Sequence, residues 1–179
     1  MKLNLGCGRD IRKGYVNTDL IEVTGIDEVF DMNFFPYPFK DSIFEEIICN
    51  GVLDYLENPD RVMKEIWRIA KPKAKIELSV GHFSSLAQYN QLTNKRGFTS
   101  TIFKEYDIEN ENRNNRTHLL KDRYNDHVLF KVKYKLILPR IYKIIGVSFL
   151  ANNFTGIYEE FFARIFPARR IYFELIIVK

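Results

Sequence analysis

At 179 residues, 46% hydrophobic and 28% charged, the chain has the make-up of one ordinary globular domain, which excludes wholesale disorder. A formal charge of +4 is too small to be a nucleic-acid signature by itself. The two cysteines, Cys7 and Cys49, stand apart from each other, which argues against a zinc module or a secreted disulfide framework.

The first strand begins at Lys2, so no signal peptide is expected ahead of it. No apolar run reaches the roughly 18 residues of a membrane span. The expected setting is cytoplasmic. Leu3 and Leu5 alternate with Lys2 and Asn4, and a Gly-x-Gly turn, Gly6-Cys7-Gly8, follows. That is a short buried strand ending where backbone must come close to something. The stretch from Arg9 to Gly14 is too short for a full crossover helix, and Tyr15 to Leu20 reads as a second strand with an acid, Asp19, at its end. Ile26 to Met32 is a third strand. The aromatic run after it is broken by Pro36 and Pro38 and reads as a loop.

Phe44 to Asn50 is a fourth strand, its adjacent Ile47 and Ile48 suiting a strand buried on both faces. Asn58 caps a helix with Pro59 in its first turn, Val62, Ile66, Ile69 and Ala70 recur at helical spacing, and Pro72 marks the stop. Lys75 to Val80 alternates into a fifth strand. This rhythm defines an α/β fold with a mainly parallel sheet.

Beyond Gly81 the character changes. His82 to Gly97 is a polar, aromatic-dotted loop, and Thr99 to Thr101 is a helix cap for Ile102, Phe103 and Tyr106. Asp107 to Asp126 is a solvated insertion. Phe130 to Leu136 is a half-exposed strand with Lys131, Lys133 and Lys135 on one face. Ile141 to Phe166 is helical and strongly apolar, and Arg170 to Val178 is the last strand. No internal repeat is present.

A glycine turn after the first strand and acids at later strand ends read as a nucleotide-cofactor site. Two facts argue against a dinucleotide. Gly6 and Asp19 are 13 positions apart, where a dinucleotide fingerprint spaces turn and acid about 20 apart, and Ile11 occupies the place of its third glycine.

Taken in order, LNLGCGRD (3–10), GYVNTDL (14–20), DMNFFPYPFKDSIFEEIICNGVLDYL (31–56), NPDRVMKEIWRIAKP (58–72) and IELSVGHFSS (76–85) resemble the class I S-adenosylmethionine-dependent methyltransferases, in particular their small type-11-like domains. The closing FPARRIYFELIIVK (166–179) is similar to the terminal strand region of such domains. The resemblance implies a three-layer α/β/α sandwich around a mainly parallel seven-stranded Rossmann-like sheet whose last strand is antiparallel. It implies one domain, 1–179, with a cofactor-binding half (1–81) and an acceptor-side half (82–179).

The resemblance also implies the site. Gly6, Cys7 and Gly8 would meet the amino-acid part of S-adenosylmethionine, Asp19 the ribose hydroxyls with Leu20 beside it, and Asp31 and Met32 the adenine. Asn50 and Gly51 would line the methionine portion, with Val52 and Tyr55 beyond. His82, just after the fifth strand, is the candidate base, and Tyr89, Asp54 and Tyr55 are weaker candidates. His118 and His127 fall in the polar insertion. The three histidines lack metal-ligand spacing, so no metal is expected.

The acceptor half departs from the family pattern. Gly51-Val52-Leu53-Asp54-Tyr55 stands for the usual His-x-x-Glu-His, Lys71-Pro72-Lys73-Ala74 for Lys-Pro-Gly-Gly, and Asn94 occupies a region that often carries another histidine. The leading expectation is methyl transfer to a small-molecule acceptor, a sugar, lipid-linked or natural-product-like compound. The rivals are an RNA or protein methyltransferase and a non-catalytic binding module. Glu159-Glu160 and the scarcity of lysine argue against an anionic membrane for the aromatic segment Phe149 to Phe166, which is expected to pack as core or as a homodimer face.

Overall fold

The computed structural model describes residues 1–107, 129–144 and 146–179. Of the insertion expected over Asp107 to Asp126, all but Asp107 lies outside the described residues, as do His118 and His127. The strands are β1 (Lys2–Leu5), β2 (Val16–Asp19), β3 (Glu28–Val29), β4 (Phe44–Asn50), β5 (Ala70–Gly81), β6 (Leu129–Ile137) and β7 (Arg170–Val178).

They form one seven-stranded sheet in the order β3-β2-β1-β4-β5-β7-β6. β7 runs antiparallel to both β5 and β6, and the other pairings are parallel. The seven strands and the reversed β7 are those the resemblance implies. From β1 the chain steps outward to β3 and returns to lay β4 on the other side of β1. The ends of β1 and β4 therefore open a crevice, the place where open α/β sheets bind ligands.

One face of the sheet carries the core. Leu3, Ile47, Ile76 and Leu175 lie in register across β1, β4, β5 and β7, and Cys49, Leu78 and Phe173 form the next row. All are buried. Helix α1 (Pro59–Ile69) packs Val62, Met63, Ile66 and Ile69 into the same core, with Asn58 Oδ1 accepting from the Arg61 amide at 3.1 Å as its cap. The aromatic loop joins it through stacked Phe35 and Tyr37, their ring centroids 5.4 Å apart. Arg68 holds that loop by donating to the carbonyls of Phe39 and Tyr37 while pairing with Asp41 and Glu65.

The other face is polar. Lys2 pairs with Glu46 at 2.7 Å, and Lys75 bridges Glu77 at 2.9 Å and Glu174 at 3.3 Å. Hydrogen bonds from Lys2 and Tyr15 hold the Glu46 carboxyl below the ordinary range, and one from Lys75 does the same for Glu77. Among the described residues, the turn between β1 and β2 reaches over this face, where Asn4 Nδ2 donates to the Asp10 carbonyl at 2.6 Å. Ten residues between the two strands leave no length for a crossover helix.

Several boundaries differ from the expectation. β3 shrinks to two residues at the sheet edge. β5 begins at Ala70, directly after α1, because Ala70 already pairs with Phe44. The register then shifts, Lys75 pairs with Glu46, and Lys73 in between adopts a left-handed φ of 65°. Lys73 thus takes the backbone conformation that a glycine would adopt without steric cost. The Ile141 to Phe166 stretch is not one helix. It forms α2 (Ile141–Ile144), α3 (Val147–Asn153), α4 (Thr155–Ile157) and a π-helical turn, Tyr158–Phe162.

Candidate active site

The glycine turn after β1 is built by two contacts. Gly6 has φ +66°, and a Cβ there would stand 2.5 Å from Val52 Cγ2, so backbone and Val52 leave no room for a side chain. The Cys7 amide donates to the Thr18 carbonyl at 2.9 Å, carrying the turn across to β2. Gly8 is different. It also has a positive φ, of 54°, yet among the described residues no atom beyond its chain neighbours lies within 4 Å of where its Cβ would be. Its amide donates to Asp19 Oδ2 at 2.7 Å.

Around this opening, Asp19 Oδ1 accepts, among the described residues, a 3.3 Å bond from the Ile21 amide. Leu20 and Ile21 expose their side chains beside it. Asp31 accepts from the amide and side chain of Asn33 at 2.8 and 2.9 Å and so fixes the start of the aromatic loop. Asn50 is exposed at the end of β4. One expected residue belongs elsewhere. Met32, expected against the adenine, is buried in the core, its carbonyl accepting from the Tyr37 hydroxyl. Cys7 stays in the glycine turn with its side chain buried, and burial with the nearby Asp19 charge pushes its thiol pKa up.

A cavity of about 540 Å³ lies at the ends of β5 and β7. Its walls include Asp54, Tyr55, Gln88, Gln91, Asn94 and Arg170. Gly51 follows β4, and the Arg170 guanidinium occupies the space where its Cβ would be. Arg170 in turn lines the cavity beside Asp54.

Asp54 is buried and accepts from the Gly81 amide at 3.0 and 3.2 Å. Burial pushes its pKa up, against the opposing pull of the Gly81 amide, Arg170 and Gln88. Tyr55 donates from its hydroxyl to Gln91 Oε1 at 2.9 Å, and the Lys95 amide donates to the Asp54 carbonyl, closing the 85–97 loop over the cavity. Buried Gln88 Oε1 and Asn94 Oδ1 have no hydrogen-bond partner among the described residues. Wall groups with spare capacity are what a polar ligand would satisfy.

His82 does not meet the expectation of a base. It is wholly buried, with Nδ1 2.7 Å from Ser84 Oγ and Nε2 3.3 Å from Glu159 Oε1, and its ring lies against Phe83 and Tyr158. Glu159 also accepts from the Ser100 amide at 2.8 Å. Burial raises the Glu159 pKa, but the bonds from His82 and Ser100 outweigh it and hold the carboxyl low. His82 therefore ties the β5 end to the π-helical turn. Tyr89 donates to the Phe83 carbonyl and stands exposed outside the cavity walls.

Arg170, Gln88 and Gln91 were missed as site residues. The paired Arg169-Arg170 opening an otherwise apolar strand is the signal that could have found the first.

The sheet, the glycine turn and the crevice together have the form of a class I S-adenosylmethionine-dependent methyltransferase. In sequence, the family model described as a methyltransferase domain matches residues 3–78. No curated protein matches the chain. Among solved structures, an S-adenosylmethionine-dependent methyltransferase from Archaeoglobus fulgidus is similar at a TM-score of 0.57 and 14% identity, over 98% of this chain and 85% of that one. One from Mesorhizobium loti is similar at 0.56 and 16%, over 98% and 90%. The cyclase SpnF is similar at 0.54 and 14%, over 98% and 73%. At these identities the likeness establishes the shared fold.

Proposed function

We propose that the chain binds S-adenosylmethionine at the β1–β4 crevice and methylates a small acceptor with a polar head held in the adjoining cavity. One observation carries this reading. Gly8 opens onto space beside Asp19, and Val52, packed against Gly6 in the same turn, stands two residues before Asp54 in the cavity wall.

The residues present fit the cofactor. Gly8 leaves backbone open to a close approach, and Asp19 keeps lone pairs free for ribose hydroxyls. Leu20, with Ile21, offers exposed apolar surface to a base, and Asp31 would accept from that base's exocyclic amine. Asn50 ends β4 with Gly51 after it, Val52 packs against Gly6, and Tyr55 lines the cavity. In this assignment residues 1–81 supply most of the cofactor side, and 82–179 add Gln88, Gln91 and Arg170 to the acceptor side.

The cofactor, when bound, supplies a methyl group already activated on a sulfonium. The protein's main contribution is then alignment of the acceptor. Arg170, an exposed cation at the cavity wall, would orient a polar or anionic head group. Asp54, whose raised pKa keeps it closer to neutrality than an ordinary aspartate, would take the acceptor's proton. A cavity of this volume suits a small molecule or the head of a larger one better than a folded macromolecule.

The same fold occurs in a protein described as a cyclase, so the fold alone leaves the reaction open. Calorimetric titration of the intact protein with S-adenosylmethionine tests the first step, and saturable binding is expected. Absence of binding would overturn the reading. A methyl-donor screen over small molecules, RNA and proteins then separates turnover from binding alone.

A further inference from the structure

The helical segment from α3 to the π-helical turn presents apolar side chains to solvent. Phe154, Ile157, Phe161 and Ile165 are 53%, 50%, 62% and 67% exposed. Ile157 and Phe161, four apart in α4 and the π-helical turn, face outward with Phe154 and Ile165 flanking them, while Ala151, Thr155 and Tyr158 turn to the core. Ile137, Ile141 and Phe149 expose further apolar surface in the same part of the chain. A concentration of this kind marks an interaction surface.

Charge identifies the occupant. From Lys131 to Arg170 the sequence holds eight lysines and arginines against two acids, Glu159 and Glu160. The pair of acids spoke against an anionic partner in the sequence, but the structure turns Glu159 inward onto His82 and Ser100. That leaves Glu160 as the exposed acid of the segment, among exposed Arg140, Lys143, Arg164 and Arg169. A second copy docked on a two-fold axis would set this basic surface against itself. An anionic lipid surface complements both its apolar stripe and its charge.

The stripe also ends at the cavity. Pro139 lies between Ile137 and Ile141, Pro167 follows Ile165 by two residues, and both prolines line the cavity with Ala168, Arg169 and Arg170. We infer that this face docks on an anionic membrane surface and that the acceptor is an amphipathic, membrane-borne molecule whose polar head enters the cavity. The acceptor's class rests on the methyltransferase reading; the docking does not.

Co-sedimentation of the intact protein with phosphatidylcholine vesicles, and with vesicles of an equal mixture of phosphatidylcholine and phosphatidylglycerol, tests the docking without cofactor. Binding to the mixed vesicles is expected to exceed binding to phosphatidylcholine alone by about ten-fold or more and to weaken with added salt. Phe154→Ser combined with Phe161→Ser should lower it by about ten-fold or more at an unchanged circular dichroism spectrum.

Arg164→Glu gives an independent reading if the double variant fails to fold. It should weaken binding to the mixed vesicles and leave phosphatidylcholine binding unchanged. Failure of the intact protein to sediment with mixed vesicles would overturn the docking, as would full binding by these variants. A dimer on gel filtration that the double variant dissolves, with no vesicle binding, would assign the face to a second copy and likewise overturn it. Saturable S-adenosylmethionine binding in calorimetry alongside a negative vesicle result would show that the docking failed and the cofactor reading did not.

Discussion

The Gly8 amide donates to Asp19 Oδ2 at 2.7 Å, so the turn that follows β1 is tied to the acid that ends β2. One carboxylate oxygen sets the turn, and the other stays largely free beside the opening. Asp19→Ala should therefore lower S-adenosylmethionine affinity by about ten-fold or more, the size expected for losing a hydrogen bond to a charged group. Asp19→Asn keeps an acceptor for the Gly8 amide and should recover part of that loss. Calorimetric titration of both variants measures it, and wild-type affinity in Asp19→Ala would remove Asp19 from the cofactor site.

The two turn glycines should separate stability from binding. Gly6→Ala places a methyl group 2.5 Å from Val52 Cγ2, at a positive φ, and should destabilise the protein by about 2–4 kcal/mol. Gly8→Ala meets open space and bears only the conformational cost of about 1–2 kcal/mol. Its larger effect should fall on cofactor affinity. Urea denaturation and calorimetry, run on both, check the contrast; equal loss of binding and stability in the two would contradict it.

Asp54→Asn should cut turnover by about two to four orders of magnitude if the carboxylate accepts the acceptor's proton. The same change should raise the melting temperature at neutral pH. Burial raises the folded-state pKa of Asp54 above its ordinary 3.8. Its ionisation therefore costs stability as pH climbs from that value through the folded one, and asparagine lifts this cost. Thermal melts below pH 3.8 should show little gain. Full turnover in the variant would dismiss Asp54 as the base.

Glu159 carries the opposite sign. Its folded carboxyl lies below the ordinary 4.5, so its contribution is fully present above that pH and is lost as pH falls through the folded value. Glu159→Gln should cost about 1–3 kcal/mol at neutral pH and flatten the acid limb of the stability profile. Denaturant titrations of both proteins from neutral pH downward would show the two curves converging. Parallel curves would mean that the link to His82 and Ser100 adds no stability.

Where a residue's role follows from local spacing, the sequence was legible. Ile47 and Ile48 side by side, the alternation through Lys75 to Val80 and the capped start at Asn58 placed β4, much of β5 and α1. The glycine turn and Asp19 were legible for the same reason. His82 was not, because its burial depends on Glu159 and Tyr158, some 75 residues away, folding back over the end of β5. The cavity was equally hidden. Arg170 and Gln88 reach Asp54 only once β7 lies antiparallel to β5. The start of β5 was misplaced because pairing with Phe44 overrode the turn signal at Pro72.

The charged second face of the sheet has a thermodynamic consequence. Rows such as Lys2–Glu46 and Lys75–Glu77–Glu174 stay wet in the native state, so melting the sheet uncovers new hydrocarbon mainly from its other side. Heat capacity on unfolding and the denaturant slope both scale with freshly exposed surface. Each should fall below the value typical of a chain of this length, giving a flatter stability curve whose hot and cold limits lie further apart.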